Sequence, residues 1–316
     1  MRVIFMGTPD FAVPTLSALL DSEHSVVGVV TQPDRPRGRG KSVTPSPIKA
    51  LALSHHLPIC QPEKMKHPDF LSTLQGWQAD VFVVAAFGRI LPKLILDLPP
   101  RGCVNVHSSL LPKYRGAGPI QWALINGETE TGITTMLMDE GMDTGSVLLQ
   151  EVVAIKSDDT TLELTNRLAQ IGGALLVKTL GLWEAKNITP SIQDAAEATM
   201  APMLRKEDGV IAWDQPALAI HNRIRGLSPW PGAYTFCQQD RLSIWKAFPR
   251  EDEGMAAEES PGTIVQLGKH EMVVRTGQGF LVITELQMAN RKRMTVTQFL
   301  AGYPLTRGMK LTDQPA

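Results

Sequence analysis

Short apolar runs and amphipathic stretches alternate along the first 150 residues of the chain. Runs rich in Val, Ile and Phe, each of strand length, fall at 2–5, 25–31, 81–85 and 103–107. Helix-like stretches lie between them at 13–20, 47–55 and 120–126. Strands alternating with helices predict a parallel sheet covered on both faces, because fully buried strands read as unbroken apolar runs. Two more strand-like runs follow at 132–138 and 146–155, and then one long amphipathic helix over 161–183. Leu164, Leu168, Ile171, Leu175 and Thr179 follow helical spacing along it.

Periodicity fades through 189–205, where Pro190 and Pro202 mix with polar residues. We read this stretch as a linker between a catalytic domain, 1–188, and a C-terminal domain, 206–316. One helix-like segment, 216–225, then precedes short strand-like runs at 233–237, 241–248, 262–265, 272–275 and 280–286. Short strands broken by Gly and Pro turns predict a small β-barrel. The expected class is therefore α/β: a Rossmann-like open, mostly parallel sheet with helices on both faces, followed by a small OB-like β-barrel domain.

Composition narrows the setting. With 43% hydrophobic and 20% charged residues in 316, the chain is made to fold, and disorder as the main state is excluded. Apolar runs such as 81–87 are far shorter than the ~20 residues a membrane helix needs. Met1-Arg2-Val3-Ile4 leads straight into a strand, without the layout of a secretory leader. Cys60, Cys103 and Cys237 lie far apart with no metal or redox spacing, and the histidines form no ligand set. A cytoplasmic protein with no membrane partner and no metal is expected, and we take it to be a monomer.

The net charge of −1 conceals a pattern. Residues 33–49 carry Arg35, Arg37, Arg39, Lys41 and Lys49 against one acid, Asp34. In 191–316, Glu251, Asp252, Glu253, Glu258 and Glu259 offset what is otherwise an excess of five cations. The acidic stretch reads as a solvated loop. A polyanion could thus be held by a local patch rather than by the field of the whole molecule.

Three segments could carry chemistry. Gly7-Thr8-Pro9-Asp10-Phe11 ends the first strand where a dinucleotide fold would show Gly-x-Gly-x-x-Gly. Pro9 replaces the second glycine, so close approach to a pyrophosphate is lost and NAD is not expected. Asn105-Val106-His107 ends an apolar strand, and alternation puts Asn105 and His107 on one side. Open parallel sheets bind ligands at the carboxyl ends of their strands. An amide donor and an imidazole there could act on one carbonyl, or either could simply end the strand. Asp139-Glu140-Gly141-Met142-Asp143 follows the next strand as an acidic turn, from which Asp143 could turn inward and fix the His107 tautomer.

These residues carry a resemblance. Asn105-x-His107, Ser109-Leu110-Leu111-Pro112-Lys113-Tyr114-Arg115-Gly116 and Asp143 resemble the signature of the folate-dependent formyltransferases. Gly7-Thr8-Pro9-Asp10-Phe11 and Gln32-Pro33-Asp34-Arg35 narrow it to the branch that formylates an aminoacylated tRNA. Ile224-Arg225-Gly226-Leu227-Ser228-Pro229-Trp230-Pro231-Gly232-Ala233 is similar to that branch's C-terminal domain, so the resemblance spans essentially the whole chain. It implies 10-formyltetrahydrofolate as formyl donor and methionyl initiator tRNA as acceptor. It implies Asn105, His107 and Asp143 as a catalytic trio. It also implies a folate pocket lined by Phe87, Gly88, Arg89, Ile90, Leu91, Ser109, Leu110, Leu111 and Pro112. The basic loop with Arg35, Arg37, Arg39 and Lys41 would then reach the acceptor arm of the tRNA. Trp213, Trp230 and Trp245 are expected in the core rather than as stacking platforms for bases.

Overall fold

In the computed structural model, which describes residues 1–37, 42–251 and 259–315, the chain divides into two units. The first holds 1–119, 130–154 and 165–202; the second holds 120–129, 155–164 and what is described from Met203 onward. Along the first 184 residues the elements run β1 Arg2–Gly7, α1 Val13–Leu20, β2 Ser25–Val30, β3 Pro36–Arg37 and β4 Ser42–Val43. Next come α2 Pro47–Ser54, β5 Ile59–Cys60, α3 Pro68–Gly76, β6 Val81–Ala85, α4 Lys93–Leu96 and β7 Cys103–His107. α5 Pro119–Ile125, β8 Glu130–Leu137, β9 Val147–Ala154 and α6 Thr161–Glu184 complete them.

Seven of these strands form one sheet in the order β5-β2-β1-β6-β7-β8-β9. The five from β5 to β7 are parallel, and β8 and β9 add antiparallel. The sheet is Rossmann-like and mostly parallel, as the alternation of runs predicts. Val3, Ile4, Phe5, Met6, Phe82, Val83 and Val84 are all buried, so both faces of the central strands are covered. One face is closed by Phe70 and Leu74 of α3 and Ile95 and Leu96 of α4, packed with Ile4, Met6, Phe82 and Val84. Each such side chain contributes about 1.5–3 kcal/mol by leaving water.

Leu164, Leu168 and Leu175 of α6 are buried, and so is Thr179 on the same stripe. The Thr179 hydroxyl bonds to the Leu175 carbonyl at 2.7 Å and meets the Thr135 hydroxyl of β8 at 2.9 Å. A polar residue is tolerated in that stripe because its hydrogen bonds are made. Gly7 is also a packing residue. A Cβ there would stand 2.7 Å from the Phe5 ring and 2.9 Å from the Ala85 carbonyl, so the end of β1 can lie beside β6 only without a side chain.

The second unit contains α7 Ala217–Gly226, β10 Ala233–Cys237, β11 Asp240–Arg250, β12 Ile264–Leu267 and β13 Met272–Arg275. β14 Phe280–Met288, β15 Met294–Thr295, α8 Val296–Leu300 and β16 Leu311–Thr312 follow. Its antiparallel sheet runs β12-β13-β14-β11-β10-β16, with β15 also on β14. The end strands meet through the Thr263–Lys310 bridge and the Ile264 N–H to Met309 carbonyl bond of 2.8 Å, curling the sheet towards a barrel. Ile244, Ile264, Met272, Val274, Leu281 and Leu286 fill the interior beneath Ile220 and Ile224 of α7.

The motif at 224–233 has a structural explanation. Arg225 is buried and donates from Nε to Asn222 Oδ1 at 3.0 Å and from Nη1 to the Lys156 carbonyl at 3.2 Å. The Thr161 hydroxyl bonds the Gly226 carbonyl at 2.6 Å, so α7 is fastened to the 155–164 segment of its own unit. Of the three tryptophans expected in the core, Trp213 is buried with its indole N–H on the Thr235 hydroxyl. Trp245 is half-buried, bonded to Gln287 and covered by Arg293. Trp230 is 53% exposed, which corrects the expectation: it sits in the turn between α7 and β10, outside any periodic segment. Glu251 and Glu259 flank the acidic stretch, whose middle, 252–258, lies outside the described residues.

Candidate active site

The parallel strands end on one edge of the first sheet, and β7 brings Asn105 and His107 there. Antiparallel pairing sets Asn105 opposite Met136 of β8 and His107 opposite Thr134, so each pair shares a face. His107 is 6% exposed. Its Nε2 lies 3.0 Å from the Tyr114 carbonyl, and its Nδ1 lies 3.6 Å from Asp143 Oδ1. A carbonyl only accepts, so the hydrogen of the first bond sits on Nε2. Nδ1 then faces the carboxylate.

Two loops create this geometry. The loop after β7 turns through Tyr114 with φ 60°, a left-handed conformation that a non-glycine residue adopts only at a cost of ~1 kcal/mol or more. It is held there from the 199–201 segment. Tyr114 N–H bonds the Thr199 hydroxyl at 2.9 Å, Arg115 N–H the Thr199 carbonyl at 2.8 Å, and Ala201 N–H the Arg115 carbonyl at 2.7 Å. Gly116 follows at φ 118°, where a Cβ would meet the Ala201 carbonyl at 2.7 Å. Its free approach lets the Gly116 N–H reach Asp143 Oδ2 at 2.9 Å. The loop after β8 presents Asp143 from another left-handed residue, φ 55°. The stretch read as a linker therefore runs, up to Pro202, as part of the first unit and braces the site.

The Ser109–Pro112 turn is anchored by one buried hydroxyl. Thr134 Oγ1 donates to the Ser109 carbonyl at 2.6 Å and accepts from the Leu111 N–H at 3.1 Å and from Gln150 Nε2 at 2.9 Å. Gln150 Nε2 also reaches the Leu111 carbonyl at 2.8 Å, and the Ser109 hydroxyl bonds the Lys113 carbonyl at 2.6 Å.

A recess of about 160 Å³ opens between the loops after β6 and β8, lined by Arg89, Ile90, Leu91, Met136, Met138 and the residues 139–143. Three of the nine residues implied as folate contacts lie there: Arg89, Ile90 and Leu91. Phe87 is buried in the core, and it and Gly88 line a different crevice of about 310 Å³ with Thr8, Gln32, Asp34 and Arg35. Ser109, Leu110, Leu111 and Pro112 line neither space and instead shape the turn beside His107. The Thr8 hydroxyl and Gln32 Nε2 both donate to the Phe87 carbonyl, at 3.2 and 2.9 Å, so the Gly7-Thr8 and Gln32-Pro33 segments steady the loop after β6. Met136, Met138, Thr134 and Gln150 escaped the sequence reading, and Tyr114 entered it only as part of a motif, since their roles depend on strand register and loop path.

The basic loop is described only in part. Arg35 is exposed, Arg37 lies in the β3–β4 ladder, and Arg39 and Lys41 fall outside the described residues. Lys49 is paired with Asp34, which Gln61 Nε2 also holds at 2.9 Å, so Lys49 is withdrawn from the patch. In the second unit Arg293 is paired with Glu285 while Arg291 and Lys292 are exposed. Among the described residues no group of three or more His, Cys, Asp or Glu could hold a metal, and no helix is long and apolar enough to cross a membrane.

Comparison with known proteins adds the family. Residues 1–180 match the family described as formyl transferase, and 203–304 match the formyl transferase C-terminal domain. The methionyl-tRNA formyltransferase of Pelotomaculum thermopropionicum is 50% identical over 313 residues, covering 99% of both chains. That of Trichlorobacter lovleyi is 49% identical over 310 residues, covering 98% of this chain and 96% of the relative. Among solved structures, the sugar 3N-formyl transferase WlaRD, determined with dTDP and 5-N-formyl-THF, has a TM-score of 0.66 at 19% identity. It covers 92% of this chain and 99% of its own. HypX from Aquifex aeolicus in complex with tetrahydrofolic acid gives a TM-score of 0.64 at 16% identity, covering 100% of this chain and 49% of its own. These two likenesses speak for the fold alone.

Proposed function

The chain belongs to the formyl transferase family, and on that premise we propose how its site performs the reaction named for its near-full-length relatives. It transfers the formyl group of 10-formyltetrahydrofolate to the free amine of methionyl-tRNA, the initiator species, giving the N-formylmethionyl-tRNA that starts translation. The reaction takes place in the cytoplasm.

The observation that carries the mechanism is the two-sided hold on His107. With the Nε2 hydrogen on the Tyr114 carbonyl, Nδ1 keeps its lone pair and can take a proton from the attacking amine. Asp143 then stands 3.6 Å from the imidazolium that forms, and the same nitrogen returns the proton to the departing folate nitrogen. The formyl oxygen becomes an oxyanion as the carbon turns tetrahedral. Since Nε2–H is occupied by Tyr114, the Asn105 amide is the donor to that oxygen, a contribution of ~3–4 kcal/mol for a well-placed group. From the sequence, an amide donor and an imidazole could act on one carbonyl; the Tyr114 bond supports separate roles for them. No covalent enzyme intermediate is needed, and burial pushes the Cys103 thiol up to about 12, unsuited to a nucleophile.

The recess beside Asp143 has room for part of the formyl donor: apolar Leu91, Met136 and Met138 line it together with the polar Arg89, Asp139, Glu140 and Asp143. The tRNA is held by the basic loop that includes Arg35, Arg37, Arg39 and Lys41 and by the C-terminal unit. Their phosphate contacts bring the acceptor end to His107.

The test supplies 10-formyltetrahydrofolate with methionyl initiator tRNA, methionyl elongator tRNA or glycinamide ribonucleotide and follows formyl transfer. Transfer to the initiator species is expected to dominate. Transfer to glycinamide ribonucleotide alone would overturn the assignment.

A further inference from the structure

We propose that Gln193 is a positioning residue that sets the Asp143 carboxylate against His107. This rests on the reading of Asp143 given above. Within 191–197 every other residue is exposed, and Gln193 alone turns its side chain inward. Its Nε2 donates to two main-chain carbonyls of the loop after β8, Asp143 at 2.9 Å and Gly145 at 2.7 Å. Its Oε1 accepts twice from the buried Arg115 guanidinium, from Nε at 3.1 Å and from Nη2 at 2.7 Å. One amide therefore ties the backbone that presents Asp143 to the loop whose Tyr114 carbonyl holds Nε2 of His107.

The arrangement does more than fill space. Asp143 is left-handed at φ 55°, and a non-glycine residue relaxes from that region unless its neighbours fix it. Gly116 N–H fixes the carboxylate through Oδ2, while Gln193 fixes the carbonyls on either side of the turn. The 3.6 Å separation of Oδ1 from Nδ1 thus depends on two loops meeting, and Gln193 joins them alongside the Asp143 carboxylate itself. An amide is the required group, because it donates to carbonyls at one atom and accepts from a guanidinium at the other.

Replacing Gln193 by Ala should let Asp143 drift, and a displacement of ~1 Å near reacting groups can cost ~100-fold. We expect kcat to fall roughly 10- to 100-fold with KM for both substrates within about threefold, the signature of a contact that matters in the transition state. The decisive comparison is the cycle Gln193→Ala, Asp143→Ala and the double variant, measured by single-turnover formylation of methionyl initiator tRNA with the full chain. If Gln193 acts through Asp143, the double variant is no slower than Asp143→Ala alone. Gln193→Glu supplies a check that keeps the size and the Arg115 acceptor but sets an oxygen against the two carbonyls. It too should lower kcat and spare KM. Independent, multiplying losses, or a silent Gln193→Ala beside a severe Asp143→Ala, would overturn this inference and leave the proposed reaction standing. Near-normal turnover in Asp143→Ala would overturn both this inference and the role given to Asp143, while the reaction itself would stand.

Discussion

Asp143→Asn removes the charge at the centre of the mechanism. The substitution keeps the shape, and Oδ1 of the amide can still accept the Gly116 N–H that now bonds Asp143 Oδ2 at 2.9 Å. Turned that way, the amide nitrogen faces His107 Nδ1 and donates to it, occupying the lone pair that must receive the proton. The lost attraction can be gauged from the 3.6 Å separation. At an effective dielectric of ~20–40, unit charges at that distance attract by about 2–5 kcal/mol. At 1.36 kcal/mol per decade, this is about 1.5 to 3.5 decades in rate. Single-turnover formylation in a rapid-quench instrument, with enzyme in excess and the formyl donor saturating, reads that step directly. Donor affinity measured by fluorescence titration should stay within about threefold, because the charge acts on the imidazolium and not on the bound folate. A folded Asp143→Asn variant whose chemical step slows less than threefold would refute the electrostatic role.

Thr134→Val, nearly isosteric at a fully buried position, should lower stability by ~2–4 kcal/mol, since it orphans the Leu111 N–H and removes a donor from the Ser109 carbonyl. Urea unfolding checks it, and a change below 0.5 kcal/mol, the order of a surface substitution, would count against the anchor. Burial pushes the His221 imidazole below its ordinary value, with the Ala247 carbonyl opposing the shift. The unfolded chain therefore binds more protons between the folded value and ~6.5, so stability rises with pH through that window and is lost on acidification. His221→Asn should flatten the dependence of the C-terminal unit's unfolding midpoint between pH 7 and 5, and parallel curves would contradict the assignment. Changing Arg39 and Lys41 together to Ala should weaken tRNA binding and reduce the slope of log K against log salt by roughly one unit per lost phosphate contact. Superimposable salt series would mean that the loop is only a solvated insertion.

The sequence carried most of the architecture because burial leaves a strong imprint. β6, β7, β10 and β13 match their apolar runs end to end, and α1 matches its helical stretch. α3 escaped the pattern: it is nine residues long, with Phe70 and Leu74 its buried positions, and is capped by His67 rather than a Ser, Thr, Asp or Asn. The two-residue strands β5 and β16 are too short to have a period at all. At the site, Asn105-x-His107 was legible because two residues on one strand face need no tertiary knowledge. Asp143 was recognisable as a glycine-flanked acid. Nothing local distinguishes Thr134 from any other strand threonine, or Gln193 from the polar residues around it. Their partners lie 16 residues or more away in sequence, and only the fold brings them together.

The central claim is that His107 carries the proton between amine and folate, and replacing it by Ala tests this most directly. Single-turnover formylation of methionyl initiator tRNA should slow by about two decades or more in His107→Ala, while the variant binds both substrates as tightly as the parent. Turnover within a fewfold of the parent in a folded His107→Ala protein would contradict the mechanism.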